Sequence, residues 1–160
     1  MMLVMCYNLF MIDKLKEIFK RYNVDIAYLF GSQKDKGFEF LEGKKVDIDL
    51  NSDLDIGVHV KEMPNKILDF YGGLYYELSS IFEPFKIDLV ILNEVDYIMK
   101  YEIINGYRIY AENEEMADEY EELVMKFAED VYFKYKLSEK DFLEALRDGY
   151  FQVKYSKNSK

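Results

Sequence analysis

SDLDIGV, at residues 52–58, places Asp53 and Asp55 two positions apart, where a polar break gives way to an apolar run. This pattern predicts a buried strand over residues 54–60. Alternate residues of a strand share one face, so both carboxylates point the same way, about 6 to 7 Å apart along the chain. Alone, an Asp-x-Asp pair at a strand start is usually a solvated turn, so its meaning depends on the rest of the sequence.

Two other apolar segments carry the residues that complete the pattern. KIDLVIL, at residues 86–92, predicts a strand with one acid inside it, Asp88, and an unpaired acid is costly to bury. LFGSQ, at residues 29–33, ends another predicted strand at Gly31 and Ser32. A Gly-Ser turn is common, but glycine lets the backbone approach a phosphate closely, and the hydroxyl and nearby N–H groups can donate to its oxygens.

The three carboxylates converge if their strands are neighbours, about 4.8 Å apart. Each pair at about 4 Å repels by about 4 kcal/mol at an effective dielectric constant of about 20, so the cluster needs cations. Oxygen ligands select Mg²⁺, with Mn²⁺ as the alternative. Two such ions, about 3.5–4 Å apart, stabilise the attacking and leaving oxygens of a phosphoryl displacement. Asp53, Asp55 and Asp88 are therefore candidate metal ligands.

The remaining elements follow from hydrophobic spacing and from the positions of Gly and Pro. The predicted elements are helices at residues 10–22, 64–82, 95–105 and 114–136, strands at 24–30 and 107–111, and a β-hairpin at 38–50 with EGKK as its turn. Ser138 and Asp141 have the spacing of a capping box, which predicts that a last helix opens there.

The length and charge of the chain limit the classes of protein to which it can belong. The 160 residues include 31 acidic and 21 basic side chains, a formal net charge of −10. Nucleic-acid binding needs Lys and Arg to replace phosphate counterions, and no basic stripe is present, so nucleic acid is a poor candidate partner. No linker or repeat is visible, which predicts one domain over residues 1–160, with a core at about 10–113 and a helical extension at 114–155.

The single cysteine and the apolar N-terminal segment bear on location. Cys6 has no second cysteine to pair with, so a reducing cytoplasm is the simplest setting, and we expect a buried apolar thiol. The apolar segment at residues 1–12 is shorter than the roughly 20 residues that span a bilayer, so no membrane contact is expected. We expect it to be a core or interface segment. His59, the sole histidine, is expected to be an ordinary strand residue.

The order Gly-Ser, then Ser-Asp-x-Asp, then a strand Asp resembles the nucleotidyltransferase signature of the DNA polymerase beta superfamily. The size of the chain and the segment YIMKYEIINGYRIYAEN, residues 97–113, resemble its minimal nucleotidyltransferases, including the MntA-like antitoxins that pair with HEPN-domain toxins. The resemblance covers residues 24–113. It implies an α+β fold with a mixed sheet flanked by helices, here with the inserted hairpin and C-terminal helices.

That resemblance also implies roles for individual residues. Gly31 and Ser32 would hold a nucleoside triphosphate, and Asp53 and Asp55 would ligate both metal ions. Asp88 would ligate the catalytic metal and help to activate the acceptor hydroxyl. The implied reaction transfers a nucleoside monophosphate, with AMP from ATP as the expected case, and releases pyrophosphate. In the antitoxins, the acceptor is a tyrosine of the partner toxin.

The spacing of the motif departs from the family pattern. About ten residues usually separate the Ser from the first Asp, whereas twenty (residues 33–52) lie between Ser32 and Asp53. We attribute the excess to the predicted hairpin, which creates an alternative pair in VDIDL, Asp47 and Asp49. SDLDIGV is preferred because both of its flanks match the family and it leads into a longer apolar strand. Asp47 and Asp49 would then form the solvent face of the hairpin.

A second departure concerns the expected phosphate contact in GSQKDKG. Minimal members of the family often carry an Arg before the second Gly, and here Lys36 precedes Gly37. Lysine supplies a point charge but lacks the bidentate fork of a guanidinium group. Lys36 is therefore a candidate nucleotide-binding residue with a weaker geometric match.

Three functions stay open on the sequence alone. The first is an active nucleotidyltransferase that modifies a HEPN-type partner. The second is an antitoxin that acts by contact alone with a vestigial site, for which the apolar N-terminus and the Tyr-rich helix at residues 114–136 would form the interface. The third is a transferase that acts on a small hydroxylated molecule. A homo-oligomer and a hetero-oligomer are both compatible with the pattern.

Overall fold

A four-stranded sheet with helices on both faces organises the chain. The computed structural model describes the backbone of residues 2–148 and the side chains of residues 10–148. The elements are α1 (Met2–Arg21), β1 (Val24–Phe30), α2 (Lys34–Leu41), β2 (Leu54–Val60), α3 (Ile67–Phe82), β3 (Ile87–Ile91), α4 (Tyr97–Ile104), β4 (Tyr107–Ala111) and α5 (Glu114–Arg147), with a 3₁₀ turn at Leu92–Glu94. Over residues 2–148, no helix combines the length and apolarity needed to cross a lipid bilayer.

The sheet has the strand order β3-β2-β1-β4 and is mixed. β1 lies in the centre and pairs antiparallel with both β2 and β4, whereas β2 pairs parallel with β3. The prediction of a mixed sheet flanked by helices is confirmed. Because β2 and β3 are parallel neighbours, they lie side by side with their N-terminal ends at the same end of the sheet.

Successive side chains of a strand point to opposite faces of the sheet, so the hydrophobic core has two parts, one on each face. The first face packs against α1, α2 and α3 and includes Phe19, Leu54, Ile56, Leu74 and Phe82, all fully buried. The second face packs against α4 and α5 through Ile26, Tyr28, Phe30, Leu92, Ile103 and Ala117. Asp55, Gly57 and His59 of β2 alternate with the residues of the first face, so they lie on the second.

The segment at residues 38–50 is not the β-hairpin that its alternation predicted. Residues Lys34–Leu41 form helix α2, and an irregular segment follows to residue 53. Phe38 stacks on Tyr107 with ring centroids 4.8 Å apart, and Phe40 packs edge-on against Phe85 at 5.5 Å. The two phenylalanines therefore contact different parts of the molecule from one helix, and their i, i+2 spacing imitates a strand.

The segment VDIDL alternates apolar and acidic residues, but it does not form part of a sheet. Val46 and Ile48 are half-buried against the first face of the core, while Asp47 and Asp49 are exposed. Within residues 2–148, no strand pairs with this segment. The alternation therefore reflects one buried side of an extended segment, and a hydrogen-bonded ladder needs more than that.

The ends of the chain also differ from expectation. α5 continues from Glu114 to Arg147, and Ser138 and Asp141 lie inside it, so no separate last helix begins there. No Gly or Pro interrupts residues 114–147, which lets one helix run through. α1 begins at Met2, earlier than predicted. The expected burial of Cys6 and of the N-terminal apolar segment falls largely on side chains outside the described residues.

α5 is fastened to the second face of the sheet by a charge cluster. The Arg108 guanidinium of β4 lies 3.0 Å from Glu114, 2.8 Å from Asp118 and 3.0 Å from Glu121. The hydroxyl of Tyr28, fully buried on β1, donates to Glu121 at 2.8 Å. Burial first, and then the hydrogen bond to Glu121, raise the pKa of Tyr28 above its usual value. The cluster joins β1, β4 and α5.

Tyr28→Phe is expected to lower the free energy of unfolding by about 1–2 kcal/mol, because it leaves the half-buried Glu121 with one donor fewer. Tyr120→Phe is the matched control: its hydroxyl is buried with no hydrogen-bond partner among the described residues. That variant should be neutral or more stable. Urea unfolding monitored by circular dichroism measures both. A larger loss for Tyr120→Phe than for Tyr28→Phe would contradict the arrangement.

Gly72→Ala is expected to raise the free energy of unfolding by about 0.5–1 kcal/mol, because alanine loses less backbone entropy in a helix. A Cβ at Gly72 would have no atom within 4 Å, whereas one at Gly73 would lie 2.6 Å from the Tyr22 hydroxyl. That hydroxyl donates to Glu77 at 3.0 Å. Chemical unfolding of both variants should show a smaller gain, or a loss, for Gly73→Ala. Equal gains at the two positions would show that Tyr22 does not pack as described.

Candidate active site

Asp55 and Asp88 lie opposite each other on adjacent strands. The parallel register pairs Asp55 of β2 with Asp88 of β3, and the antiparallel register pairs Asp55 with Phe30 of β1. Both carboxylates therefore leave the second face of the sheet, with their strands about 4.8 Å apart. Asp53 precedes β2 and is exposed. The structure thus brings together the ends of the three segments that carry the predicted site residues.

The Asp55 carboxylate is crowded by like charge. Burial, then the negative charge of Asp88, then that of Asp53, raise the pKa of Asp55 above its usual value. Asp55 is half-buried, whereas the other two acids are exposed. A carboxylate whose neighbours are also acids is stabilised by a bound cation, so the electrostatics favour occupancy by metal ions.

Exposure of Asp88 corrects one expectation. The apolar run around it predicted a buried strand and an acid that is costly to keep there, but its side chain is exposed. β3 is an edge strand, and its burial alternates between covered and open positions. On the second face, the sheet is open at Asp88, whereas Leu92 beyond the strand is fully buried beside α4. An open acid at this position can reach a ligand, which a fully buried acid cannot.

Gly31 lies directly against Asp55. It follows β1 with φ +71°, a left-handed conformation that L side chains rarely adopt. A Cβ on Gly31 would overlap the Asp55 Oδ2 atom far inside van der Waals contact. The absence of a side chain at Gly31 therefore has two causes, the backbone conformation and the space that the carboxylate fills.

The turn at residues 31–33 is joined to the segment before Asp53. The Ser32 and Ser52 hydroxyls are 2.8 Å apart and hydrogen-bonded. The Gln33 side chain bonds the backbone of Asp49 and Ser52. Gln33 was not among the residues predicted from the sequence, since a glutamine at the start of a helix carries no signal until the loop that buries it is known.

Lys36 lies in the first turn of α2 and is half-buried. Among the described residues, no hydrogen bond or ion pair involves its ammonium group, so its nucleotide-binding role stays a prediction. Lys34 is committed elsewhere: its Nζ donates to the Asn105 carbonyl at 3.2 Å and lies 5.7 Å from the centre of the Tyr107 ring. Lys36 is the better placed of the two to have a free charge.

The alternative pair lies off the sheet. Asp47 and Asp49 are exposed in the irregular segment, and the Asp49 carboxylate accepts from the backbone N–H of Asn51 at 3.0 Å. Neither residue pairs with a strand that carries another acid. The geometry therefore favours Asp53 and Asp55 as the functional pair.

The donor set suits a hard divalent cation, because all the candidate ligands are carboxylate oxygens. Over residues 10–148, however, no group of three or more His, Cys, Asp or Glu is arranged to hold a metal ion as its side chains stand. The register of Asp55 with Asp88, and the two-residue separation of Asp53 from Asp55, still place the three acids near one another. Binding of a cation would then require the exposed Asp53 and Asp88 side chains to change rotamer.

His59 lies four residues beyond Asp55, at the other end of β2. Its Nδ1 atom is 2.7 Å from Asp25, and its ring packs 4.7 Å from that of Tyr120. It lines a cavity of about 520 Å³ with Lys61 and Glu112, among others. This cavity contains none of the candidate site residues, and the ordinary role expected for His59 stays a prediction.

Comparisons with known proteins assign the chain to a family. A family model described as polymerase beta, nucleotidyltransferase matches residues 13–115, which include all the candidate site residues. No protein of curated function matches the sequence.

Solved structures show the same fold at low identity. A chain from the complex of a tri-AMPylated Shewanella oneidensis HEPN toxin with MNT antitoxin is 14% identical, with a TM-score of 0.58 over 85% of this chain and 98% of that one. A chain of a toxin–antitoxin with AMP-PNP is 16% identical, with a TM-score of 0.55 and coverage of 85% and 98%. A chain of the MntA–HepT toxin–antitoxin is 15% identical, with a TM-score of 0.53 and coverage of 87% and 98%.

The family match spans well over half of the chain, and the fold agrees with it. The Gly-Ser turn, the Asp-x-Asp pair and the third strand acid all lie inside the matched segment and at one edge of one sheet. This protein belongs to the polymerase beta nucleotidyltransferase family.

Proposed function

We propose that this protein transfers AMP from ATP to a hydroxyl group of a HEPN-domain toxin in the cytoplasm, and so acts as its antitoxin. The observation that carries the proposal is the register of Asp55 with Asp88, beside the turn at Gly31. Two acids fixed side by side next to a phosphate-binding type of turn are suited to a metal-nucleotide complex. Family membership supplies the reaction class.

Each residue has a proposed task. The backbone of Gly31 and the Ser32 hydroxyl would donate to the triphosphate, close to the N-terminus of α2, whose N–H groups and dipole favour an anion. Asp53, Asp55 and Asp88 would hold two Mg²⁺ ions, which stabilise the attacking and leaving oxygens of the displacement. Asp88, open to solvent, would also accept the proton of the acceptor hydroxyl as its oxygen attacks the α-phosphorus and pyrophosphate leaves.

The choice of adenylate and of a HEPN partner rests on the proteins that share the fold. One similar structure contains a tri-AMPylated HEPN toxin with its MNT antitoxin, and another contains AMP-PNP. At 14–16% identity these likenesses support the proposal through the fold alone. The acceptor residue, expected to be a tyrosine, lies on the partner.

Labelled ATP tests the proposal directly. The protein is incubated with Mg²⁺, a HEPN partner and ATP labelled in either the α- or the γ-phosphate. We expect label to reach the partner from α-labelled ATP only, and chelation of Mg²⁺ with EDTA to abolish it. Label from the γ-position would indicate phosphorylation, and no label from either position would refute nucleotidyl transfer to this partner.

One observation favours a second candidate, an antitoxin that acts by contact. The C-terminal half of α5 exposes several large apolar side chains, including Val131, Tyr132, Phe133, Tyr135, Leu137 and Leu143. Such a surface is typical of an interface. Neutralisation of the toxin that persists in Asp55→Asn, together with loss of label transfer, would favour contact over catalysis.

A further inference from the structure

Apart from tyrosines, Gln33 is the one buried polar or charged residue among residues 10–148, with 2% of its surface exposed. It follows the Gly-Ser turn directly and precedes α2. A polar side chain is stable in such a position only when its hydrogen-bonding groups are satisfied. The partners of Gln33 therefore reveal what it does.

The Gln33 amide bonds the segment that leads into Asp53. Its Oε1 atom accepts from the Asp49 N–H at 3.1 Å, and its Nε2 atom donates to the Asp49 carbonyl at 3.1 Å and to the Ser52 carbonyl at 2.6 Å. Both amide hydrogens and the amide oxygen are thus used. The neighbouring Ser32–Ser52 hydroxyl pair adds a fourth link between the same two segments.

The hydrogen bonds of Gln33 hold this segment in the absence of strand pairing. Residues 42–53 form no strand, and apart from the half-buried Val46 and Ile48 little of this segment packs on the core. Asp53 follows Ser52 immediately, so the bond to the Ser52 carbonyl lies one peptide unit from this acid. On the other side of Asp53, the Leu54 N–H donates to the Lys86 carbonyl at 2.7 Å, so the sheet holds the chain after Asp53 and Gln33 holds the chain before it.

We propose that Gln33 is a positioning residue that couples the phosphate-binding turn to the metal ligand Asp53. The inference rests on the proposed function and adds to it. It also accounts for the long spacing between Ser32 and Asp53: the extra residues leave the sheet, and Gln33 returns the chain to the site. Loss of the amide loosens the chain before Asp53, while the Asp53–Leu54 peptide, Asp55 and Asp88 stay held by the sheet.

Gln33→Met tests the coupling, because methionine has similar length and no amide. The fold is retained by the sheet, while the Asp49 and Ser52 backbone groups lose their partners. Hydrogen exchange followed by mass spectrometry should show at least tenfold faster exchange for peptides that cover residues 49–53 and little change in β1 and β3. This readout needs no catalytic activity.

Binding of Mn²⁺ with a non-hydrolysable ATP analogue, followed by electron paramagnetic resonance, gives the functional readout. We expect at least tenfold weaker Mn²⁺ binding in Gln33→Met. Leu78→Ala is the control: Leu78 is fully buried in α3, outside the site, so this variant loses stability but should bind Mn²⁺ within about twofold of wild type.

The outcomes separate the two proposals. Unchanged exchange at residues 49–53, or unchanged Mn²⁺ binding in Gln33→Met, would overturn the positioning role. Weakened binding in Leu78→Ala to the same degree would also overturn it, because general destabilisation would then explain the effect. A wild-type protein that binds no Mn²⁺-nucleotide would overturn the proposed function and the catalytic part of this inference, while exchange would still decide whether Gln33 holds the loop.

Discussion

Asp55→Asn is expected to lower the rate of AMP transfer by at least about 10³-fold, which corresponds to about 4 kcal/mol of activation free energy. Asp55 is the central acid of the site: it lies in register with Asp88, follows Asp53 by two residues and packs against Gly31. An amide at this position keeps the shape but removes the charge that would bind both ions. Single-turnover label transfer at saturating ATP measures the effect.

The stability of Asp55→Asn should move the other way. Burial and the nearby Asp88 and Asp53 raise the pKa of Asp55, so its charge at neutral pH destabilises the folded state in the absence of metal. Removal of that charge should leave the melting temperature of the metal-free protein unchanged or higher. A lower melting temperature together with the lost activity would indicate misfolding in place of a lost ligand.

Asp47→Asn is the matched control, because it makes the same chemical change in the alternative pair. Asp47 is exposed in the irregular segment and lies outside the strands that carry Asp55 and Asp88. Transfer activity within about twofold of wild type is expected. If Asp47→Asn abolished transfer and Asp55→Asn did not, the assignment of the functional pair would be reversed.

The strands were predictable because their signals are local. β1, β2 and β4 begin and end where the apolar runs do, and Gly31 and Gly106 mark two of their boundaries. The order of the strands in the sheet could not be predicted from local sequence patterns. The convergence of Asp55 and Asp88 depended on β2 and β3 being parallel neighbours, and no local pattern in the sequence establishes which strands are neighbours.

The segment between α2 and β2 shows where sequence patterns fail. A two-residue alternation was correct about burial, since Val46 and Ile48 face the core, but it could not report the absence of a partner strand. Gln33 was invisible for the same reason, because its burial is created by the segment that returns to it. Long-range contacts decided both features.

Gly31→Ala is expected to lower both transfer and stability, unlike the substitutions of the acids. The φ of +71° strains any L residue by about 1 kcal/mol or more, and the added Cβ would collide with the Asp55 carboxylate. To relieve the collision, the Asp55 side chain has to move away from its position beside Asp88. A displacement of about 1 Å at a reacting centre can cost about 10²-fold in rate.

Gly72→Ala makes the same change where it should be harmless, since a Cβ there meets no atom within 4 Å. We therefore expect Gly31→Ala to lose about 1–3 kcal/mol of unfolding free energy and at least about 10²-fold in transfer rate, with Gly72→Ala retaining full rate. Thermal unfolding and label transfer on the same preparations measure both. A Gly31→Ala protein that is destabilised but fully active would show that the turn can move without Asp55, and the close contact between them would then have no part in the chemistry.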